Sequence, residues 1–297
     1  ADGRTAIWWN GRLVPYADAR THVLSHALHY GTGVFEGIRC YETERGPAVF
    51  RHRDHLDRLA KSAELYYLEL PYSTEEIAAA TRELISRNGL ASCYIRPLAF
   101  RGYGNLGLYA TDAPVEVIVA AFPWGVYLGE EGKRNGIRAK VSSWRRIGPG
   151  GLIPHAKASG QYLNSILAKL ETHHAGYEEA ILLDHLGNVC EGSGENIFLV
   201  RDGVLFTTPL AAGILNGITR DSVVRIARDL GYEVREQILP REMLYIADEL
   251  FFTGTAAELT PIRSVDRIDV GEGKPGPITK AIQDRYMGIV TGRVADR

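Results

Sequence analysis

Ala180-Ile181-Leu182-Leu183-Asp184-His185-Leu186-Gly187-Asn188-Val189-Cys190-Glu191-Gly192-Ser193-Gly194-Glu195-Asn196-Ile197-Phe198-Leu199-Val200-Arg201-Asp202-Gly203-Val204-Leu205-Phe206-Thr207 reads as a meander of short strands. Apolar runs at 180–184, 189–191, 197–200 and 204–207 are separated by turn residues, and Asp202-Gly203 is a two-residue hairpin signal. No helix fits between these strands, so the β-α-β alternation of a doubly wound sheet is absent here. Outward from this stretch the pattern stays mixed. Toward the N-terminus, 7–14 reads as a hairpin turned by Asn10-Gly11, and 34–50 holds strand patches interrupted by Gly46-Pro47. A helix is expected at 53–68, with Leu56, Leu59, Ala60, Ala63 and Tyr67 on one face and Pro71 ending it. A second helix at 74–88 closes on Asn88-Gly89, and strands follow at 93–101 and 115–122. Phe122-Pro123-Trp124-Gly125 then breaks the pattern.

Beyond that break come a strand near 137–143, a Gly/Pro loop at 148–154 and a helix at 159–174 with Leu163, Ile166, Leu167 and Leu170 inward. After the meander, helices are expected at 220–230, at 240–246 and near 277–291, with a strand at 249–253. Strand meanders with separate helices favour an α+β fold in two domains. The expected division is a small N-terminal α+β domain at 1–121, a connection at 122–136 and a larger domain at 137–297.

Composition narrows the function classes. Among 297 residues, 34 Lys and Arg against 36 Asp and Glu give a formal charge of −2, with no basic excess to bind a phosphate backbone. Nucleic acid is therefore disfavoured as a partner. The longest apolar runs, such as that at 115–122, are far short of a membrane span, and no charged-then-apolar leader opens the chain. Cys40, Cys93 and Cys190 stand singly, without disulfide or zinc spacing, and read as small buried hydrophobes. Together these features point to the cytoplasm.

Three motifs invite over-reading. Gly102-Tyr103-Gly104-Asn105-Leu106-Gly107 matches G-x-G-x-x-G, but a dinucleotide site needs a helix to open there and only 108–114 separates it from the next strand. Glu191 replaces the first glycine of a nucleophile elbow before Gly192-Ser193-Gly194. His22, His26 and His29 have helical spacing but no carboxylate at ligand spacing, so no metal site is expected.

Four segments carry chemistry. Pro154-His155-Ala156-Lys157-Ala158-Ser159-Gly160 sets a lysine among small residues just before a helix. Small neighbours let a flat cofactor approach and desolvate the ammonium, favouring the neutral amine that attacks a carbonyl. An isolated lysine is more often a solvated surface charge. In Cys190-Glu191-Gly192-Ser193-Gly194-Glu195-Asn196 an acid ends a strand before a glycine loop. Facing a pyridine nitrogen, such an acid keeps it protonated; its blander role is to cap the turn. Gly213-Ile214-Leu215-Asn216-Gly217-Ile218-Thr219-Arg220-Asp221 leads into a helix whose N-terminal amides suit a phosphate, or which is merely capped by Thr219. Phe252-Thr253-Gly254-Thr255-Ala256-Ala257-Glu258 breaks a strand into hydroxyls and amides able to hold an anion, or is a simple strand end.

These segments are where the chain resembles the branched-chain amino-acid aminotransferases, class IV aminotransferases of the fold-type IV pyridoxal-phosphate group. The resemblance runs from Trp9-Asn10-Gly11 to Gly288. Its best motifs are Tyr30-Gly31-Thr32-Gly33-Val34-Phe35-Glu36-Gly37-Ile38-Arg39, Tyr94-Ile95-Arg96-Pro97, Ala156-Lys157-Ala158, Glu191-Gly192-Ser193-Gly194-Glu195-Asn196, Gly217-Ile218-Thr219-Arg220 and Thr253-Gly254-Thr255-Ala256-Ala257-Glu258.

The resemblance implies transamination of leucine, isoleucine and valine with 2-oxoglutarate, using pyridoxal 5'-phosphate in a cleft and held mainly by the larger domain. It implies that Lys157 is the Schiff-base lysine and proton shuttle, that Glu191 pairs with the pyridine nitrogen, and that Tyr162 binds the ring O3′. Arg58, the amides of Ile218 and Thr219, and Thr255 would hold the phosphate, although helical position alone makes Arg58 a solvated residue. Tyr94 with the amides of Thr255 and Ala256 would take the substrate α-carboxylate. Tyr30, Phe35, Gly37, Trp124, Tyr127 and Ala257 would line an apolar pocket, with Arg96 accepting the distal carboxylate of glutamate. The loop at Leu106 and Leu108 would reach a neighbouring subunit, implying a homodimer as the minimum unit with higher homo-oligomers open. A D-amino-acid or (R)-amine transaminase would share the lysine, acid and phosphate motifs, a lyase resembling aminodeoxychorismate lyase is more remote, and a non-catalytic binding protein would have no need of all of them together.

Overall fold

The computed structural model describes residues 5–125, 127–148 and 150–295. The chain divides into two compact units, Ala1–Trp124 with Ala156–Tyr162, and Gly125–His155 with Leu163–Arg297. The short lysine-bearing segment thus groups with the N-terminal part of the chain, a placement its position in the sequence does not announce.

The first unit runs β1 (Ala6–Trp9), β2 (Arg12–Pro15), α1 (His26–Tyr30), β3 (Gly33–Phe35), β4 (Ile38–Thr43), β5 (Gly46–Val49), α2 (His52–Leu65), α3 (Thr74–Arg87), β6 (Cys93–Arg101) and β7 (Val115–Phe122). Its sheet has the order β2-β1-β7-β6-β4-β5, with β3 also paired to β6, and every pairing is antiparallel. Asn10 and Gly11 at φ +44° and +84° make the expected hairpin turn. β7 alternates, with Val117, Val119 and Ala121 buried against Leu56, Leu59 and Ala63 of α2 and Ile77, Ala80 and Leu84 of α3 in one core. Truncating such a leucine to alanine costs about 2–5 kcal/mol. α3 begins with a capping box, Ser73 and Glu76 bonding each other's backbone N–H, a device of about 1 kcal/mol.

Two expectations fail here. α2 stops at Leu65, not 68. Tyr67 turns left-handed (φ +54°) and is exposed, while the N–H groups of Tyr67 and Leu68 return to the carbonyls of Glu64 and Ala63. This pair of reversed bonds ends a helix and tucks Leu68 inward; no glycine marks the stop. Gly46-Pro47 does not interrupt the strands but opens β5, which among the described residues pairs only with β4, and an edge strand tolerates proline.

The second unit runs α4 (Glu130–Asn135), β8 (Ile137–Arg145), α5 (Tyr162–His174), β9 (Glu179–Leu183), β10 (Val189–Gly192), β11 (Asn196–Arg201), β12 (Val204–Thr207), α6 (Ile218–Asp229), β13 (Val234–Glu236), α7 (Met243–Ile246), β14 (Glu249–Gly254), β15 (Glu258–Val265), β16 (Ile268–Asp269) and α8 (Pro277–Val290). The sheet order is β10-β9-β8-β15-β14-β11-β12-β13, parallel at β8–β9, β8–β15 and β12–β13. Phe198 and Phe251 stack across β11 and β14 with ring centres 5.1 Å apart. With both sheets and the separate helices on view, the fold is α+β as read.

Four local readings are corrected. The stretch 122–136, expected as a connection, contains a helix, α4, too short for a periodic signal. β15 was missed because Pro261 and its polar residues resemble a loop, yet it lies mid-sheet between β8 and β14. Leu163, Ile166, Leu167 and Leu170 of α5 face outward, Leu163 at 68% exposure, while the small residues Ser165, Ala168 and Thr172 face in, Ala168 against Ala180 and Leu182. Close approach to the sheet selected small residues over the larger apolar stripe. Finally, Gly217, not Thr219, is the N-cap of α6.

Candidate active site

Lys157 is positioned through its backbone. Its N–H donates to Ser62 Oγ on α2 at 3.0 Å, its carbonyl accepts from the Phe35 N–H at 3.0 Å, and Ala158 bridges to Val34. The segment is thus an added piece of strand beside β3, and its side chain is presented rather than left to wander. Lys157 Nζ lies 2.6 Å from the Tyr162 hydroxyl and 4.9 Å from the centre of the Phe35 ring. Phe35 and Tyr162 are themselves 4.9 Å apart, so among the described residues the amine has one hydrogen-bond partner and one apolar wall.

Phe35 carries a second cation. The Arg96 guanidinium sits 4.6 Å from its centre and 5.3 Å from that of Tyr94, and donates to the Tyr94 hydroxyl at 3.2 Å. Arg96 Nε is buried with no hydrogen-bond partner among the described residues. A cation between two rings with a buried unmet donor calls for an anion. Tyr94 packs on Trp124, ring centres 5.0 Å apart, and a Cβ on Gly37 would fall 1.9 Å from the Tyr94 hydroxyl. Only glycine at 37 leaves that hydroxyl its place.

Arg58 is braced, not solvated. Its Nε and Nη2 meet the two oxygens of buried Glu36 at 2.6 and 2.9 Å, and His55 Nδ1 lies 2.7 Å from the same carboxylate. Burial pushes the Glu36 carboxyl up, but Arg58 and His55 outweigh it and hold it well below the usual carboxylate range. Burial also lowers His55, against the pull of Glu36.

Tyr30, Leu106 and Leu108 stand elsewhere. Tyr30 packs its ring 4.6 Å from His26, whose Nε2 lies 3.0 Å from the Gly107 carbonyl. His26 therefore ties the glycine loop to α1, and Leu108 is 87% exposed.

In the second unit, Glu191 sits beside a bulge in β10. Arg146 Nε approaches its Oε1 to 2.7 Å as an ion pair, though not at a hydrogen-bonding angle. Its Oε2 accepts from Asn196 Nδ2 and the Leu215 N–H, each at 3.2 Å. A Cβ on Gly217 would lie 2.0 Å from Asn196 Oδ1. As the N-cap of α6, Gly217 brings no side-chain oxygen to the helix end where Ile218 and Thr219 begin. Thr255, Ala256 and Ala257 form the three-residue loop between paired Gly254 and Glu258. Tyr127 is half exposed, 5.7 Å from Lys169 Nζ. Glu195 is buried, its carboxylate accepting the Gly194 N–H at 3.0 Å. Burial, with Glu179 and Glu191 nearby, pushes it up to about 8 against the opposing pull of Lys169.

The profile of the family described as amino-transferase class IV matches residues 33–265. The branched-chain-amino-acid aminotransferase of Escherichia coli strain K12 is 53% identical over 98% of this chain and 94% of its own length. The chain belongs to the branched-chain family of class IV amino-transferases. A solved Escherichia coli branched-chain amino acid aminotransferase superposes with a TM-score of 0.97 at 52% identity, covering 99% of this chain and 97% of that one. The T.th. branched-chain amino acid aminotransferase with pyridoxamine 5'-phosphate gives 0.95 at 51% identity, covering 98% and 95%.

Within this class IV chain, the structure brings Phe35, Gly37, Tyr94, Arg96, Trp124, Lys157 and Tyr162 together in one unit. It sets Glu191, the start of α6 and the loop 255–257 in the other. The residue reading missed Glu36, His55 and Arg146, which hold Arg58 and Glu191. Glu36 lies inside the motif at 30–39, but neither His55 nor Arg146 carries a local signal.

Proposed function

We propose that this protein transaminates leucine, isoleucine and valine, with 2-oxoglutarate as acceptor, using pyridoxal 5'-phosphate. The observation that carries the reading is Lys157 Nζ held 2.6 Å from the Tyr162 hydroxyl against the face of Phe35. The donor set suits the cofactor: an amine for its aldehyde, a braced carboxylate for its pyridine nitrogen, and a guanidinium with a glycine-capped helix end for its phosphate. The T.th. relative with pyridoxamine 5'-phosphate supports it.

When bound, the cofactor supplies an electron sink that acidifies the substrate Cα–H. Lys157 Nζ would take that proton from the substrate Cα and deliver it to the cofactor carbon C4′, with Tyr162 orienting the amine. Asn196, the Leu215 N–H and Arg146 orient Glu191 toward the pyridine nitrogen. Arg58, the amides of Ile218 and Thr219, and Thr255 bind the phosphate. Tyr94 and the amides of Thr255 and Ala256 take the α-carboxylate, and Phe35, Gly37, Trp124, Tyr127 and Ala257 exclude water around an apolar side chain. Arg96 takes the distal carboxylate of glutamate. In this reading the chain is a small domain at 1–121, a connection at 122–136 and a larger cofactor domain at 137–297.

The working unit is a homodimer at minimum. Exposed apolar side chains on the segments joined by His26, among them Val23, Leu28, Tyr103 and Leu108, support a role for Tyr30, Leu106 and Leu108 toward a second copy. Sedimentation velocity at micromolar protein should show no monomer; a monomer with full activity overturns this. The three free, buried cysteines support a cytoplasmic setting, which a fluorescent fusion retained outside the cytoplasm would contradict.

The test of function is the absorption of protein loaded with pyridoxal 5'-phosphate during separate additions of L-leucine and D-alanine. Loss of the long-wavelength cofactor band with L-leucine only is expected. The opposite preference moves the function to D-amino acids, and failure to take up cofactor overturns it.

A further inference from the structure

α4, the loop 255–257 and α8 are joined at one point. Lys133 on α4 forms an ion pair with Glu258, the first residue of β15, with side chains only 19% and 5% exposed. Lys133 Nζ also lies 3.6 Å from Met287 Sδ on α8. One turn earlier on α8, Gln283 Nε2 donates to the carbonyls of Lys133 at 3.1 Å and Leu259 at 3.0 Å. α8 is itself fixed, because buried Glu249 accepts the N–H groups of Ile278 and Thr279 at 3.0 and 2.7 Å. The start of α8 is thus tied to β14.

Glu258 adopts φ +52°. This left-handed conformation at the first residue after the loop is one that side chains rarely adopt, and glycine is the unstrained choice there. The glutamate bears strain that glycine would avoid, and its carboxylate reaches Lys133. Strain at a loop end, held by a mostly buried ion pair, specifies one loop geometry.

We propose that Lys133 and Glu258 are a positioning pair that sets the aim of the amides in the loop 255–257 at the substrate α-carboxylate and fixes that loop to the segment bearing Tyr127. The proposal rests on the assignment of this loop in the preceding section. Neither side chain touches substrate. Leucine and glutamate both present an α-carboxylate, so both are affected alike. The contact is made in ground and transition states, so loosening it raises KM and spares kcat.

The experiment is steady-state kinetics of the full-length holoenzyme with L-leucine and L-glutamate for Lys133→Met, Lys133→Arg, Glu258→Gly and the Met/Gly double variant, with melting temperatures. Lys133→Met should raise both KM values about fivefold with kcat within about twofold, Lys133→Arg should restore them, and the double variant should be no worse than either single one. Glu258→Gly relieves the strained φ while it removes the carboxylate, and the double variant leaves neither charge unpaired, so the proposal can be tested even if Lys133→Met does not fold. Unchanged KM values in Lys133→Met and Glu258→Gly, with or without a lower melting temperature, overturn the proposal, as does a rise for only one substrate. A wild-type holoenzyme inactive on both substrates would instead overturn the function, which separates the two failures.

Discussion

The Tyr162 hydroxyl lies 2.6 Å from Lys157 Nζ, five residues away along the chain. A 3-10 turn at Ser159–Gln161 leads from the bridged strand segment into α5 and brings the two side chains together. The bond lets a single helix start fix the amine.

Tyr162→Phe should therefore fold normally and lose about tenfold to a hundredfold in kcat, the range for one hydrogen bond to a charged group. Lys157→Ala should fold and lose steady-state transamination altogether. Wild-type turnover by Lys157→Ala would remove the lysine from the mechanism, and an unchanged kcat in Tyr162→Phe would make its hydroxyl incidental.

Arg96 has a buried Nε without a partner among the described residues, between Phe35 and Tyr94. Arg96→Ala should raise the KM for glutamate about tenfold or more while leucine changes far less, since only glutamate has a distal carboxylate. Equal losses for both substrates would mean that the side chain only supports the aromatic wall.

Gly217 leaves room for Asn196, which in turn holds Glu191. Gly217→Ala places a methyl group 2.0 Å from Asn196 Oδ1 and should weaken pyridoxal 5'-phosphate binding about tenfold. Titration by absorbance reads this directly. A variant binding cofactor as the wild type does would show that Asn196 does not communicate with the cofactor.

Glu195 is raised from an ordinary 4.5 to about 8, by burial and then Glu179. Between those values the folded protein holds a proton that the unfolded chain has released. The Glu195 contribution to stability therefore falls as pH rises from about 4.5 to about 8 and levels beyond. Glu195→Gln lacks this proton and keeps an acceptor for Gly194. Its melting temperature should gain on the wild type steadily between pH 5 and 8. A constant difference across that range would show that Glu195 is ionised throughout.

Where the chain folds on local rules, the sequence was sufficient. The hairpin at Asn10-Gly11, the alternating β7, the helix α3 with its stop at Asn88-Gly89 and the turn at Asp202-Gly203 all follow from turn chemistry and periodicity. The six motifs, in order, also determined the family. The helix stop at Tyr67, the strand β15 with its Pro261, and the outward apolar stripe of α5 were decided by tertiary packing, which overrides propensity wherever a close approach or a buried partner is available. The site divides in the same way. Lys157 and Glu191 stand in readable motifs, whereas Arg146, His55 and the pairing of Lys133 with Glu258 join residues distant along the chain. Charge complementarity between such residues depends on a separation in space that linear spacing does not contain.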